Sequence, residues 1–392
     1  MVETEQPTLW TKPFLLVWAF TFLTFFAAFQ LFPTAPLRLI ELGASRGESG
    51  SFLAVFTIGS SLGALVTGPL GDRVGHRRMM GGAALAFIAI MGVYSVLPVR
   101  WAFYALAPLH GAIWSGLITA TVAMLGGIVP ESRRAEGMAL YGLASPGGVI
   151  FGPTVGVWIF QHAGFRAMCL LLALCFAVLT VLARNLPPDP AREHRSDRHF
   201  SWPERPVLML SSILFVTALG YGALNSYSAQ EGLALDLRVH GWAWPSAFFS
   251  SLAVGMVAMR ALMGITGFGE RPTRRLPAMV LLALSGLALL AFVPDAWVGG
   301  LARHVVSGLI YGAGYSMVYT LLNTILLEIV APERRGAAFG TFMFAFDAGI
   351  GLGSALLGHL IGAQGFRAGW AAAVAVMALG LPLAVGITRR HA

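Results

Sequence analysis

Long apolar runs alternate with short turns rich in glycine and arginine along this chain. A helix needs about 20 apolar residues to cross the hydrocarbon core of a bilayer. A window of that length predicts spans near 13–35, 50–70, 79–98, 101–126, 137–160 and 166–184, and again near 206–227, 243–266, 276–296, 302–329, 336–358 and 366–388. The stretch from Arg184 to Arg205, with Pro187, Pro188, Pro190 and five arginines, is too polar to cross and reads as a linker. The expected fold is an all-α membrane protein whose twelve transmembrane helices form two pseudo-symmetric six-helix bundles. Residues 1–184 and 206–392 are the bundles, and 185–205 is the linker between them.

Composition agrees with a bilayer as solvent. Hydrophobic residues make up 57% and charged ones 11%, more apolar surface than a soluble core of this length hides. A net charge of +8 would point to nucleic acid in a soluble protein, but here the arginines are confined to short turns, and no nucleic-acid partner is expected. Counted on alternate sides, eighteen basic residues fall on one side and seven on the other. The positive-inside rule then puts both termini and the linker in the cytoplasm. The first apolar run is full length and lacks a small-residue cleavage site, so no cleavable leader is expected.

An internal repeat supports two copies of one unit. Pro130-Glu131-Ser132-Arg133-Arg134 returns as Pro332-Glu333-Arg334-Arg335, and Gly164-Phe165-Arg166-Ala167 as Gly365-Phe366-Arg367-Ala368. Between the second and third spans lies a charged, glycine-rich turn, with Gly68, Gly71, Asp72, Arg73, Gly75, Arg77 and Arg78 at its key positions and a weaker echo in Gly264, Glu270, Arg271, Arg274 and Arg275. Glycines let two helix ends approach closely, and Asp72 is placed to sit at a helix N-terminus. This turn resembles the signature of the major facilitator superfamily. The resemblance implies alternating access between two halves, with Asp72, Arg73 and Arg77 acting as a conformational latch on the cytoplasmic side.

The fifth span carries Gly148, Gly152, Pro153 and Gly156, which resembles the motif of the superfamily's exporters; ordinary small-residue packing is the alternative. The resemblance favours export. Proton-coupled exporters of the superfamily carry an arginine in the fourth span, four positions before a glycine, and aligning that glycine with Gly111 puts Ala107 at its place. His110 is the neighbouring titratable group, a proton-coupling and binding candidate or a structural histidine.

Of the 18 acidic residues, Asp347 alone is expected well inside a span. An unpaired acid at membrane depth costs about 2.5–3.5 kcal/mol on insertion scales, so it is a functional candidate by default. It binds a proton or a cationic substrate, or else it caps a turn near the cytoplasmic end of its helix.

Tyr311, Tyr315 and Tyr319 recur every four residues and share one helix face with Asn323. Tyr221, Asn225, Trp114 and Gln30 lie on the seventh, fourth and first spans. On inward faces these residues form an aromatic cavity with a few hydrogen-bonding groups, suited to an amphipathic small molecule; interhelical bonding is the alternative.

No lysine or arginine lies mid-span in the first, fourth or seventh spans, which disfavours anionic substrates. No phosphate-binding loop or metal-ligand cluster is present, so no cofactor, metal or enzymatic activity is expected. Cys169 and Cys175 lie six apart on different faces of one helix and read as packing residues. The expected protein is a monomeric inner-membrane secondary transporter, exporting a small amphipathic or cationic compound against protons. A proton symporter or uniporter importing a polar nutrient such as a sugar is the rival, and it would need more polar cavity groups than these spans offer.

Overall fold

The computed structural model describes residues 8–189, 205–266, 272–331 and 335–391. Within them run α1 (Lys12–Glu41), α2 (Arg46–Val74), α3 (His76–Val96), α4 (Arg100–Ile128), the short α5 (Arg134–Tyr141) and α6 (Ala144–Arg184). The second half holds α7 (Arg205–Ala234), α8 (Ala247–Thr266), α9 (Pro272–Phe292), the short α10 (Asp295–Val298), α11 (Gly300–Ile329), α12 (Arg335–Gln364), α13 (Phe366–Ala378) and α14 (Gly380–His391). Parts of the linker, and Glu270, Arg271 and Pro332-Glu333-Arg334 of the repeats, lie outside the described residues.

Helix starts follow from local chemistry. Thr11 caps α1, and Ser45 with Glu48 forms a reciprocal capping box at the start of α2. The last span is split at Leu379 because Pro382 has no N–H to return to Ala378.

The 41 residues of α6 would run about 60 Å as one straight helix, twice the hydrocarbon thickness. Gly164 breaks it, with φ 79° and ψ 170°, a conformation close to that of Gly365 (φ 88°, ψ 170°) between α12 and α13. Its two ends lie on one side of the bundle. The Trp18 indole, early in α1, donates to Leu140 just before α6, while the amide of His76, which opens α3, donates to Asp189 just after α6. The chain therefore folds back at Gly164 and makes two crossings there, which with α1–α4, α7–α9, α11, α12 and the α13–α14 pair gives twelve among the described residues.

The halves pack alike. In the first, α1 lies on the first arm of α6, α2 on α4, and α3 on the second arm; in the second, α7 lies on α12, α8 on α11, and α9 on α13. Glycine makes these approaches possible. A Cβ on Gly111 would strike the Phe56 carbonyl, and one on Gly312, 201 residues later, would strike that of Leu252.

Three sequence expectations are corrected. The helix placed at 137–160 is interrupted at Gly142–Leu143, separating α5 from α6. The seventh span does not end at 227 but continues to Ala234. Beyond it, the unexpected strands β1 (Arg238–Val239) and β2 (Trp242–Ala243) form a two-residue hairpin through His240 and Gly241, both at positive φ.

Candidate functional site: the interface between the two halves

The side of the bundle that carries the Gly68–Arg78 turn is here the turn side, and the opposite one the far side. On the far side the halves are sealed by hydrogen bonds. Tyr227 donates to the Arg46 carbonyl at 2.9 Å and Ser354 donates to the Gly50 carbonyl at 2.8 Å, while within the second half Ser226 reaches Ser354 at 2.6 Å. On the second seam Thr154 meets Ser250 at 2.6 Å and Ser246 at 3.1 Å.

Toward the turn side the first seam opens. Gly50, Ala54 and Thr57 of α2 lie against Ser354 and Gly351 of α12. Continued at helical spacing, the same face of α2 reaches Leu65, 73% exposed, and that of α12 reaches Phe344, 59% exposed, and then Gly340, where a Cβ would meet nothing. The two helices diverge, so this seam is closed on the far side and splayed on the turn side. Across the other seam Arg260 of α8 reaches the Gly142 carbonyl at 2.6 Å.

Asp347 sits where the first seam parts. It is in the middle of α12, so the alternative of a cap near the helix end is removed, and the hydroxyls of Ser60 and Ser61 on α2 are its hydrogen-bonding neighbours across the interface. Tyr319 lies near it, packed on Phe342 and Phe346, and Arg260 lies near Tyr319. Among the described residues no cation pairs with Asp347.

The tyrosine row forms as spaced. Tyr311 and Tyr315 stack at 5.3 Å between ring centroids, and Tyr221 of α7 stacks on Tyr315 at 4.7 Å. The hydroxyls of Tyr311 and Tyr315, and the side-chain carbonyls of Asn225, Asn323 and Gln30, are buried without a protein partner. Buried polar atoms are normally paired, so these are the atoms that water or a bound solute would satisfy. Trp114 belongs to an aromatic group with Phe25, Phe32 and Phe56. His110 is elsewhere: its ring is enclosed inside the first half by Phe56, Phe87 and Tyr94.

The fifth-span glycines face α1. Gly148 and Gly152 abut the backbone of Phe26, and Gly156 abuts Gln30, so the stripe is a groove in which α1 lies, with Pro153 buried beside it. In the signature turn, Gly75 has φ 94° and Asp72 approaches His76 at 3.9 Å, while Arg77 donates to the Leu186 carbonyl at 3.2 Å. At the start of α3 the carboxylate of Asp189 takes the amides of His76 and Arg77.

One charged group went unread in the sequence. Glu231 of α7 is 3% exposed, so Asp347 is not the sole acid within a span. It meets Arg303 at 2.8 Å, the Trp370 indole at 2.7 Å and His304 at 3.4 Å. The available signal was the apolar Leu233-Ala234-Leu235 that follows it. Cys169 and Cys175 are buried free thiols, and among the described residues no cluster of His, Cys, Asp and Glu has metal-binding geometry.

Comparison with known proteins places this interface in context. The family model of the Major Facilitator Superfamily matches residues 17–324. The "Multidrug resistance protein MdtG" of Klebsiella pneumoniae (strain 342) is 25% identical, with 94% of this chain and 91% of the relative aligned. Its counterpart from Yersinia enterocolitica serotype O:8 / biotype 1B is 26% identical over the same shares. Among solved structures, a POT family transporter in complex with 5-aminolevulinic acid superposes with a TM-score of 0.77 at 13% identity, covering 95% of each chain. The nucleoside transporter NupG superposes with a TM-score of 0.73 at 13% identity, covering 96% of this chain and 99% of the other. These structures share the fold, and the sequence match extends over most of the chain. The protein is a multi-pass membrane transporter belonging to the Major Facilitator Superfamily.

Proposed function

We propose that this transporter exports small amphipathic or cationic organic compounds across the inner (plasma) membrane, driven by protons moving inward. The observation that carries this reading is the position of Asp347: an acid in the middle of its span, at the point where the halves separate, with hydroxyl groups and, among the described residues, no paired cation. Such a carboxylate is open to a proton or to a cationic solute, and competition for one acid is the simplest antiport scheme. The names of the MdtG relatives support export over the import alternative.

The excess of basic residues on the turn side supports a cytoplasmic turn side and linker. The conformation described above is then open to the cytoplasm along the α2–α12 seam and sealed outside. Tyr221, Tyr311, Tyr315, Trp114, Gln30, Asn225 and Asn323 would receive the solute, and Tyr319 would bridge the tyrosine row to Asp347. The Gly68–Arg78 turn, with Asp72, Arg73 and Arg77, would lock the outward-facing state when the cytoplasmic ends close.

The test is transport in proteoliposomes with tetraphenylphosphonium as the probe cation. Wild type should accumulate it against its gradient when a pH gradient is imposed, and Asp347→Asn should abolish that accumulation. Unchanged pH-driven transport in Asp347→Asn would remove the proposed role of this residue.

A further inference from the structure

The Glu231 cluster stands apart from Asp347, at the far end of α7, and its geometry carries a proton. His304 Nδ1 lies 2.9 Å from the Gly300 carbonyl. A carbonyl only accepts, so Nδ1 bears the hydrogen. In neutral imidazole Nε2 then has a lone pair, yet Nε2 faces the Glu231 carboxylate at 3.4 Å, and it is buried with no other partner. Two acceptors facing each other in a dry site repel unless a proton lies between them.

The surrounding charges do not hold that proton permanently. Arg303 of α11 contacts Glu231 at 2.8 Å and Asp295 of α10 at 2.9 Å, and it donates to the Leu290 carbonyl of α9 at 2.8 Å. Arg367 of α13 contacts Asp295 at 3.4 Å, and Trp370 of the same helix donates its indole N–H to Glu231 at 2.7 Å. Two carboxylates already balance two guanidinium groups. Without the proton the cluster is neutral but has an acceptor–acceptor clash; with it, the clash becomes a hydrogen bond but one positive charge is uncompensated. Each state has one defect, which is the condition for exchange.

The cluster also sits beside the far-side seal. Glu231 is one helical turn beyond Tyr227, whose hydroxyl closes on Arg46 of the other half. We propose that Glu231 and His304 share one exchangeable proton that ties the far end of α7 to α11 and α13 and so favours the sealed far side. Loss of the proton sets Nε2 against the carboxylate, loosens that end of α7 and favours opening. The site itself stands independently; its use in the transport cycle rests on the proton-antiport reading above.

The test has two arms on the full chain in liposomes. Wild-type protein with 15N-labelled histidine is titrated from pH 5 to 9, with the His304 signal identified by its loss in His304→Gln. A protonation step at Nε2 is expected in wild type, and in Glu231→Gln, whose amide donates to Nε2 as the protonated acid would, its midpoint should move by at least about tenfold in proton affinity. A ring unchanged across the range, neutral or charged, overturns the proposal, as does a step that Glu231→Gln leaves in place.

The second arm needs no change at the cluster. Spin labels replace Trp101 and Trp297, which are 65% and 77% exposed on the far side of the two halves. Their separation should widen as pH rises, and a pH-independent separation overturns the link to the seal. Absence of pH-driven transport in wild type would defeat the antiport reading while leaving the His304 step in place.

Discussion

The carboxylate of Asp189 caps the helix that opens at His76, with Oδ1 2.8 Å from the His76 amide and Oδ2 3.3 Å from that of Arg77. The first amides of a helix have no partner within it, and an anion placed there meets both an unmet donor and the positive end of the helix dipole. The bond ties the end of the sixth span to the start of the third, so the signature turn is held by a residue more than a hundred positions away. Gly75 leaves room for it, since a Cβ there would lie 2.6 Å from Asp189 Oδ2.

Replacing this cap has a defined cost. Asp189→Ala should destabilise the protein by about 1 kcal/mol, the usual loss for a helix cap. Gly75→Ala should cost at least as much, from its left-handed φ and the same collision. Because both act on one contact, the double variant should lose less than the summed single losses in thermal unfolding. Strict additivity would show that the turn does not depend on the Asp189 cap.

Asp72 is predicted to act on the cycle rather than on binding. Asp72→Ala should lower the transport rate in proteoliposomes while leaving probe-cation affinity within about twofold, because the residue lies in the turn and far from the tyrosine row. Full turnover in Asp72→Ala would refute the latch.

Tyr227 offers a test of the far-side seal. Tyr227→Phe removes one hydrogen bond across the halves, worth about 0.5–1.5 kcal/mol, and should raise the far-side-open population by about two- to tenfold. A cysteine at Ser354 reports this through its labelling rate by a membrane-impermeant thiol reagent. The two native cysteines are buried and give a low background.

Close helix contact predicts intolerance at the paired glycines. Gly111→Val and Gly312→Val each drive a side chain into a neighbouring carbonyl, and each should destabilise by about 1–3 kcal/mol or more, read as a lower Tm and folded yield. Gly82→Val, where a Cβ meets nothing, is the control and should behave as wild type. Equal tolerance at all three positions would contradict the close α2–α4 and α8–α11 approaches.

Ligand binding is the remaining prediction. A cation that occupies the central interface should raise the apparent stability by RT ln(1 + [L]/Kd), about 2.7 kcal/mol at a hundredfold excess over Kd. Asp347→Asn should reduce that gain for tetraphenylphosphonium more than for an uncharged aromatic compound of similar size. Equal loss for both would assign Asp347 a structural role.

Much of the architecture was legible in the order of residues because lipid imposes it locally. Each crossing must satisfy its own backbone, so apolar length alone marks the spans, and the turn arginines and the Gly164/Gly365 repeat mark their grouping into two copies. The tyrosine row was equally legible, since residues four apart share a helix face. Tertiary structure decided what depends on partners distant in the chain. Asp189 caps the helix that opens at His76, Glu231 entered the interior because Arg303, His304 and Trp370 converge on it, and His110 was enclosed by rings from α2 and α3. The direction in which the interface opens also belongs to that level. It is set by which end of α2 meets α12, a relation between two halves that no local pattern contains, because the same faces must separate and rejoin.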